Sequence, residues 1–150
     1  MNKNISDIID TTEMIVTQKY INDISYKIVG CSIEVHKELG PGLLESIYQI
    51  CLIEELKSAN LYVESQVPLD INYKGKKLDS TLRLDLLVND LVVVELKAVE
   101  KMISLYTAQL LTYLKLTQKP KGLLINFNCE NITKQLVPLV TEEFSKLPKE

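Results

Sequence analysis

The sequence predicts an α/β fold in which helices pack on a mixed β-sheet. Apolar residues recur at helical spacing in the first third of the chain, alternate at a two-residue period through the middle, and return to helical spacing after residue 103. The middle segments are joined by short turns, Lys74-Gly75-Lys76 and Asn89-Asp90, which implies hairpins, whereas a helix later bridges two strands as a crossover. With 150 residues, 46% hydrophobic and 25% charged, the chain suits one domain whose core needs no disulfide or zinc. The expected order is ααβββαβα.

Residues 1–22 mix Asn, Asp, Thr and Lys with scattered Ile and Val and are expected to form an arm, with a single domain over 23–150. From Ser25, the residues Ile28, Val29, Ile33, Val35 and Leu39 mark a first helix that stops at Gly40-Pro41-Gly42. Leu43, Leu44, Ile47, Ile50, Cys51, Ile53 and Leu56 mark a second, with Glu45 in its first turn and an end near Asn60. Val63, Val67, Leu69, Ile71 and Tyr73 alternate with polar residues as a half-buried strand, and Pro68 places it toward an edge. A second strand is expected from Lys77 to Val88 and a third from Leu91 to Ala98. A helix follows over Ile103 to Leu116, then an apolar strand over Gly122 to Phe127, and the tail from Val137 to Leu147 is expected to be a final helix.

No apolar run approaches the roughly 20 residues of a membrane span, and Met1 to Asp10 lacks the apolar region of a secretory signal, so no membrane and a cytoplasmic address are expected. Cys31, Cys51 and Cys129 are odd in number and widely spaced, as reduced core thiols would be. The net charge of −3 would disfavour nucleic acid, but it is unevenly spread. Residues 71–121 carry nine Lys or Arg against five acids, while residues 1–70 carry five Lys against eleven. A basic middle between acidic ends suits a local surface for an anionic ligand, and equally an ordinary solvated face.

In the second and third strands Leu82, Leu84, Leu86 and Val88, and Val92, Val94, Leu96 and Ala98, are all even-numbered and apolar. Burying both sets on one face requires opposed residues whose numbers sum to an even value, which a three-residue loop Asn89-Asp90-Leu91 provides. It pairs Val88 with Val92 and sets Asp85 opposite Glu95. The other face then holds Arg83, Asp85, Glu95 and Lys97. Opposed carboxylates repel, so something positive belongs between them. Magnesium or manganese, which take hard oxygen ligands, would fit, and so would a surface ladder of ion pairs with Arg83 and Lys97.

These residues resemble a known group. Asp85, a short hairpin and Glu95-Leu96-Lys97 are similar to the core motif of the PD-(D/E)XK nuclease superfamily, and Gly42-Leu43-Leu44-Glu45-Ser46-Ile47-Tyr48 resembles the signature of its small GxxExxY family. The blocks Gln66-Val67-Pro68-Leu69, Ala108-Gln109-Leu110-Leu111-Thr112-Tyr113 and Leu123-Leu124-Ile125-Asn126-Phe127-Asn128 extend the resemblance. It implies a restriction-endonuclease-like mixed β-sheet flanked by helices and a metal-dependent nuclease, with DNA as the expected substrate. Asp85, Glu95 and the carbonyl of Leu96 would then hold Mg2+ or Mn2+, Lys97 would orient or deprotonate the attacking water, and Glu45 would contact a metal-bound water. Gln109 and Tyr113, four apart on one helix face, would position Lys97 or the substrate backbone, together with Arg83.

Simpler roles stand beside these. Glu45 suits a helix N-terminus on dipole grounds alone, Gln109 and Tyr113 suit helix packing, and Tyr48 suits the core as well as it suits orienting Glu45. His36, the only histidine, has no second histidine beside it and is expected to pack or cap. Lys74, Lys76 and Lys77 form a basic hairpin tip that would touch phosphates or keep an edge soluble. The competing function is a catalytically silent nucleic-acid-binding or protein-interaction module on the same fold. A two-carboxylate glycosidase leaves Lys97 without a purpose. A homodimer is compatible with the sequence but not specified by it.

Overall fold

The computed structural model describes residues 15–150. Helix α1 spans Gln18–Leu39, so it begins seven residues before Ser25 and takes in the last part of the expected arm. Thr17 caps it, its hydroxyl accepting the Tyr20 N–H at 3.0 Å, and Ile21 is fully buried. Residues 1–14 of the expected arm lie outside the described residues. At the other end Gly40 takes a left-handed φ of 67° and its N–H bonds the His36 carbonyl at 2.8 Å, so the helix stops where expected. Helix α2, Glu45–Ser58, buries Tyr48, Leu52 and Leu56 and leaves Ile47 and Ile50 exposed.

The chain then forms β1 (Val63–Pro68), β2 (Ile71–Tyr73), β3 (Lys76–Leu78), β4 (Arg83–Val88) and β5 (Val92–Lys97). Helix α3 (Ser104–Thr117) leads to β6 (Lys121–Asn126), a 3₁₀ turn at Ile132–Gln135, β7 (Leu136–Val140) and a one-turn helix α4 (Glu142–Ser145). The main sheet has five strands in the order β1-β4-β5-β6-β7, antiparallel except for β5 against β6. This is the expected mixed sheet between helices. Pro68 does lie on an edge strand.

Two strand assignments change. Each long run expected on either side of the Lys74 turn breaks in two, because β1 pairs with β4 in the main sheet while β2 and β3 pair only with each other as a separate ribbon. The tail is a strand plus one helical turn instead of a helix. Pro138 would break a helix interior, but on an exposed edge strand its missing N–H costs nothing, and Leu136 packs on one side of the sheet while Val137 and Leu139 pack on the other.

The sheet separates two apolar layers. Leu86, Val88, Val92, Val94, Leu96, Leu123 and Ile125 face α1 and α2, packing with Ile28, Tyr48 and Leu52. Leu87, Val93 and Leu124 face α3, packing with Leu110, Tyr113 and Leu114. Leu82 and Leu84 also belong to this second layer, so the even-numbered set does not share one face throughout. The alternation reverses between Leu84 and Leu86, at Asp85. Among the described residues no helix is long and apolar enough to cross a membrane.

Candidate active site

The β4–β5 hairpin has the expected register, with Val88 opposite Val92, Leu87 opposite Val93 and Leu86 opposite Val94. Asn89 and Asp90 both adopt left-handed φ, and the Leu91 N–H closes the loop on the Val88 carbonyl at 3.0 Å. Beyond Leu86 and Val94 side chains take over from the ladder. The Asp85 N–H donates to Glu95 Oε1 at 3.0 Å, and the Leu96 N–H donates to Asp85 Oδ2 at 2.9 Å. On the other flank, β1 pairs with β4 at Ser65–Leu86 and at Val67–Leu84 but not at the intervening Gln66–Asp85 position. There Gln66 takes a left-handed φ of 51°. The same distortion turns Leu84 and Val67 toward α3, while Leu86 and Val63 face α1 and α2.

Glu95 is only 9% exposed, on the sheet face covered by α3. Burial first, and then the Asp85 charge, push its carboxyl up to about 8, and a side-chain hydrogen bond to Asp85 favours the same protonated form. The Asp85 N–H and Lys97 pull the other way without prevailing. Glu45, at the start of α2, is also raised, by burial and by Asp85, against a lowering from Lys97. Three acids and one lysine from α2, β4 and β5 therefore share one electrostatic neighbourhood. Burial and Glu95 raise the Tyr113 phenol, and a hydrogen bond from Gln109 lowers it.

Lys97 has no carboxylate within 4.0 Å, since the ion pairs of the described residues involve none of these groups. Its Nζ instead sits 4.5 Å from the centroid of the Tyr106 ring on α3, where the ring face attracts the ammonium. An exposed ion-pair ladder is therefore not what the hairpin builds. Tyr106 escaped the sequence reading, although its position three residues before Gln109 on one helix face was a usable signal.

Neighbouring groups fix the frame. The Tyr48 hydroxyl donates to the Gly40 carbonyl at 2.6 Å and accepts the Leu43 N–H at 3.2 Å, while its ring stacks on Phe127 at 4.8 Å. It thus sets the loop that delivers Glu45. Asn126, wholly buried, stands beside Lys97 in the β5–β6 ladder and bonds the Val99 N–H and carbonyl, the Asn128 N–H and Gln135. His36 is structural, with Nε2 donating to the Cys129 carbonyl at 2.7 Å. The three cysteines are free thiols.

Of the expected site residues, Glu45, Asp85, Glu95, Lys97 and Tyr113 come together, and Leu96 presents its main chain while its side chain is buried toward α1 and α2. Gln109 is exposed but bonded to Tyr113. Arg83 is not brought in. It is exposed at the start of β4, opposite Pro68, is not among the charges that shift Glu45, Glu95 or Tyr113, and, because Leu84 packs toward α3, points by strand alternation to the face opposite Glu95. Among the described residues no three His, Cys, Asp or Glu side chains are grouped as a preformed metal cage. Two facing carboxyls that keep a proton near neutral pH nevertheless have the chemistry a hard cation seeks, and magnesium keeps several waters and needs few protein ligands.

The fold is a mixed α/β sheet between helices, with Asp85, Glu95 and Lys97 at the end of the β4–β5 hairpin. A family profile for the PD-(D/E)XK nuclease superfamily matches residues 22–137, and the chain belongs to that superfamily. No curated protein and no solved structure matches it. Membership makes the fold restriction-endonuclease-like and the broad activity that of a nuclease acting on nucleic acid.

Proposed function

We propose that the chain is a metal-dependent nuclease that hydrolyses phosphodiester bonds in DNA, and that its GxxExxY motif delivers Glu45 to the site. The observation that carries this reading is the pairing of Asp85 with a buried Glu95 pushed up to about 8, beside a lysine held on an aromatic face. A purely structural pair would sacrifice stability for nothing.

Asp85, Glu95 and the Leu96 carbonyl would hold Mg2+ or Mn2+. Such an ion, when bound, lowers the pKa of water and neutralises charge on the phosphoryl oxygens. Glu45 approaches from α2 and accepts a proton from, or orients, the attacking water. Lys97, steadied on Tyr106, holds the nucleophile or the phosphate oxygens by charge. Tyr113, near enough to Glu95 to feel its charge and bonded to Gln109, would position Lys97 or the substrate backbone from the α3 side.

The test is a magnesium titration of the purified protein with supercoiled plasmid, single-stranded DNA and branched DNA. Cleavage by wild type that disappears in both Asp85→Ala and Lys97→Ala supports the reading. Undiminished cleavage by those variants, or none by wild type on any substrate, overturns it in favour of a binding module.

A further inference from the structure

The chain carries a net charge of −3, so it offers a DNA backbone no overall attraction, and binding needs a local exception. The β2–β3 ribbon is such an exception. It leaves the main sheet between Pro68, the last residue of β1, and Arg83, the first of β4, which are paired with each other. One bond further out, the Leu69 N–H reaches the Leu82 carbonyl at 2.9 Å and closes the base of the ribbon. Asp85 lies three residues beyond Leu82.

The base is anchored and the tip is not. Leu69 is buried and Leu82 partly buried among Leu84 and Leu87 in the α3-side layer. Beyond them every residue of β3 is exposed, as are Asn72 and Tyr73 of β2. An isolated two-stranded ribbon is marginally stable, so this one contributes little to the core. What it carries outward is positive charge. Lys74 and Lys76 have no carboxylate partner among the described residues, and Lys77 meets only the well-exposed Asp70 at 3.1 Å.

The turn holds a second clue. Lys74 and Gly75 form its two central residues with φ of 51° and 80°, a turn that favours Asn, Asp or Gly at the first position. A lysine there accepts backbone strain and keeps a cation at the tip. Its Nζ lies 5.5 Å from the centroid of the Tyr73 ring, and Tyr73 is 59% exposed. Lys77 precedes Asp85 by eight residues, so at roughly 3.3 Å per residue its Cα stands within about 26 Å of the Asp85 Cα, inside the ~34 Å of one duplex turn.

We propose that the β2–β3 ribbon is a nucleic-acid-gripping arm, with Lys74, Lys76 and Lys77 binding the sugar-phosphate backbone beside the strand presented to Asp85 and Glu95. The proposal rests on the nuclease reading for its substrate, but binding can be measured without cleavage.

The experiment follows fluorescence polarisation of labelled duplex DNA, and of one of its single strands, with metal-free full-length protein across a salt series. Lys74→Ala/Lys76→Ala/Lys77→Ala is compared with wild type and with Lys57→Ala/Lys115→Ala/Lys149→Ala, which removes equal charge from exposed positions at the far ends of α2 and α3 and near the C-terminus. Three lost phosphate contacts should flatten the log affinity against log salt slope by about 2–3 and weaken binding at least tenfold at low salt, with the far-end variant near wild type. Lys74→Asn, which suits the left-handed turn and so keeps the fold, should flatten the slope by about 1. Equal slopes for the ribbon variants and wild type overturn the proposal while leaving the nuclease reading intact. DNA binding that depends on the ribbon in a protein that never cuts sustains the arm and overturns the nuclease. A wild type that binds neither DNA overturns the arm.

Discussion

Asp85 and Glu95 are joined by an exchange between main chain and side chain. The Asp85 N–H donates to Glu95 Oε1, and Asp85 Oδ2 accepts the N–H of Leu96, the residue after Glu95. These two bonds stand where the next rung of the hairpin would be. They bring the two acids together, and burial does the rest to favour a retained proton.

That proton makes stability depend on pH. Glu95 has an ordinary carboxyl value near 4.5 when unfolded and about 8 when folded, so the folded state binds the proton more tightly. The resulting stabilisation is complete below about pH 4.5 and is lost as pH rises through 8. The melting temperature of metal-free protein should therefore fall between pH 5 and pH 8, and Glu95→Gln should flatten that fall. An unchanged slope in the variant would place the titrating group elsewhere.

A divalent cation competes with the same proton. Magnesium or manganese should raise the melting temperature, more at pH 8 than at pH 6, with a gain of about 2.7 kcal/mol when the ion is at a hundred times its dissociation constant. Asp85→Asn should lose most of this response. If variant and wild type shift alike in a thermal melt, the ion binds at another place.

Lys97 should separate metal response from cleavage. Lys97→Ala is expected to lose about 10² to 10⁴ in cleavage rate while keeping the metal-induced melting shift. Tyr106→Leu removes only the ring face, worth roughly 0.5–2 kcal/mol, and should lower the rate by a smaller factor of about 2 to 30. Single-turnover nicking of one plasmid substrate measures both, and a Tyr106→Leu rate equal to wild type would remove the ring from the mechanism.

Gln66 holds strain that glycine would release. Its φ of 51° is costly for a residue with a Cβ, so Gln66→Gly should stabilise the protein by about 0.5–1 kcal/mol, or roughly 1–4 °C in melting temperature. Destabilisation in the melt would mean that the Gln66 amide bond to Gln49, at 3.2 Å, outweighs the strain.

The sequence made the hairpin register legible because parity is unforgiving. A two-residue turn would have put Val88 and Val92 on opposite sides, whereas the three-residue loop Asn89-Asp90-Leu91 keeps Val88, Val92 and Val94 on one side and also fixes which acids approach. Helix ends at Gly40 and near Asn60 were legible from residues that tolerate left-handed φ. The reversal at Asp85 was not, since it depends on the backbone of Gln66 in a neighbouring strand and leaves no periodic trace of its own. Arg83 was misplaced for that reason. Strand β7 was hidden because Leu136 to Val140 lacks clear alternation and contains Pro138, and its identity depends on an edge of β6 that only the assembled sheet offers.

The buried amide of Asn126 ties the exits of β5 and β6 into one unit, since it bonds Val99, Asn128 and Gln135 at once. The two sides of the β4–β5 hairpin are thus unequally anchored. Glu95 and Lys97 ride on a part of the sheet that resists displacement, whereas Asp85 is freed from the ladder on both flanks and held chiefly by polar bonds that a cation would compete for. Under the proposed reading an ion would displace the Glu95 proton and the bonds that hold Asp85, and the strand bearing the lysine would serve as the fixed reference against which Asp85 adjusts.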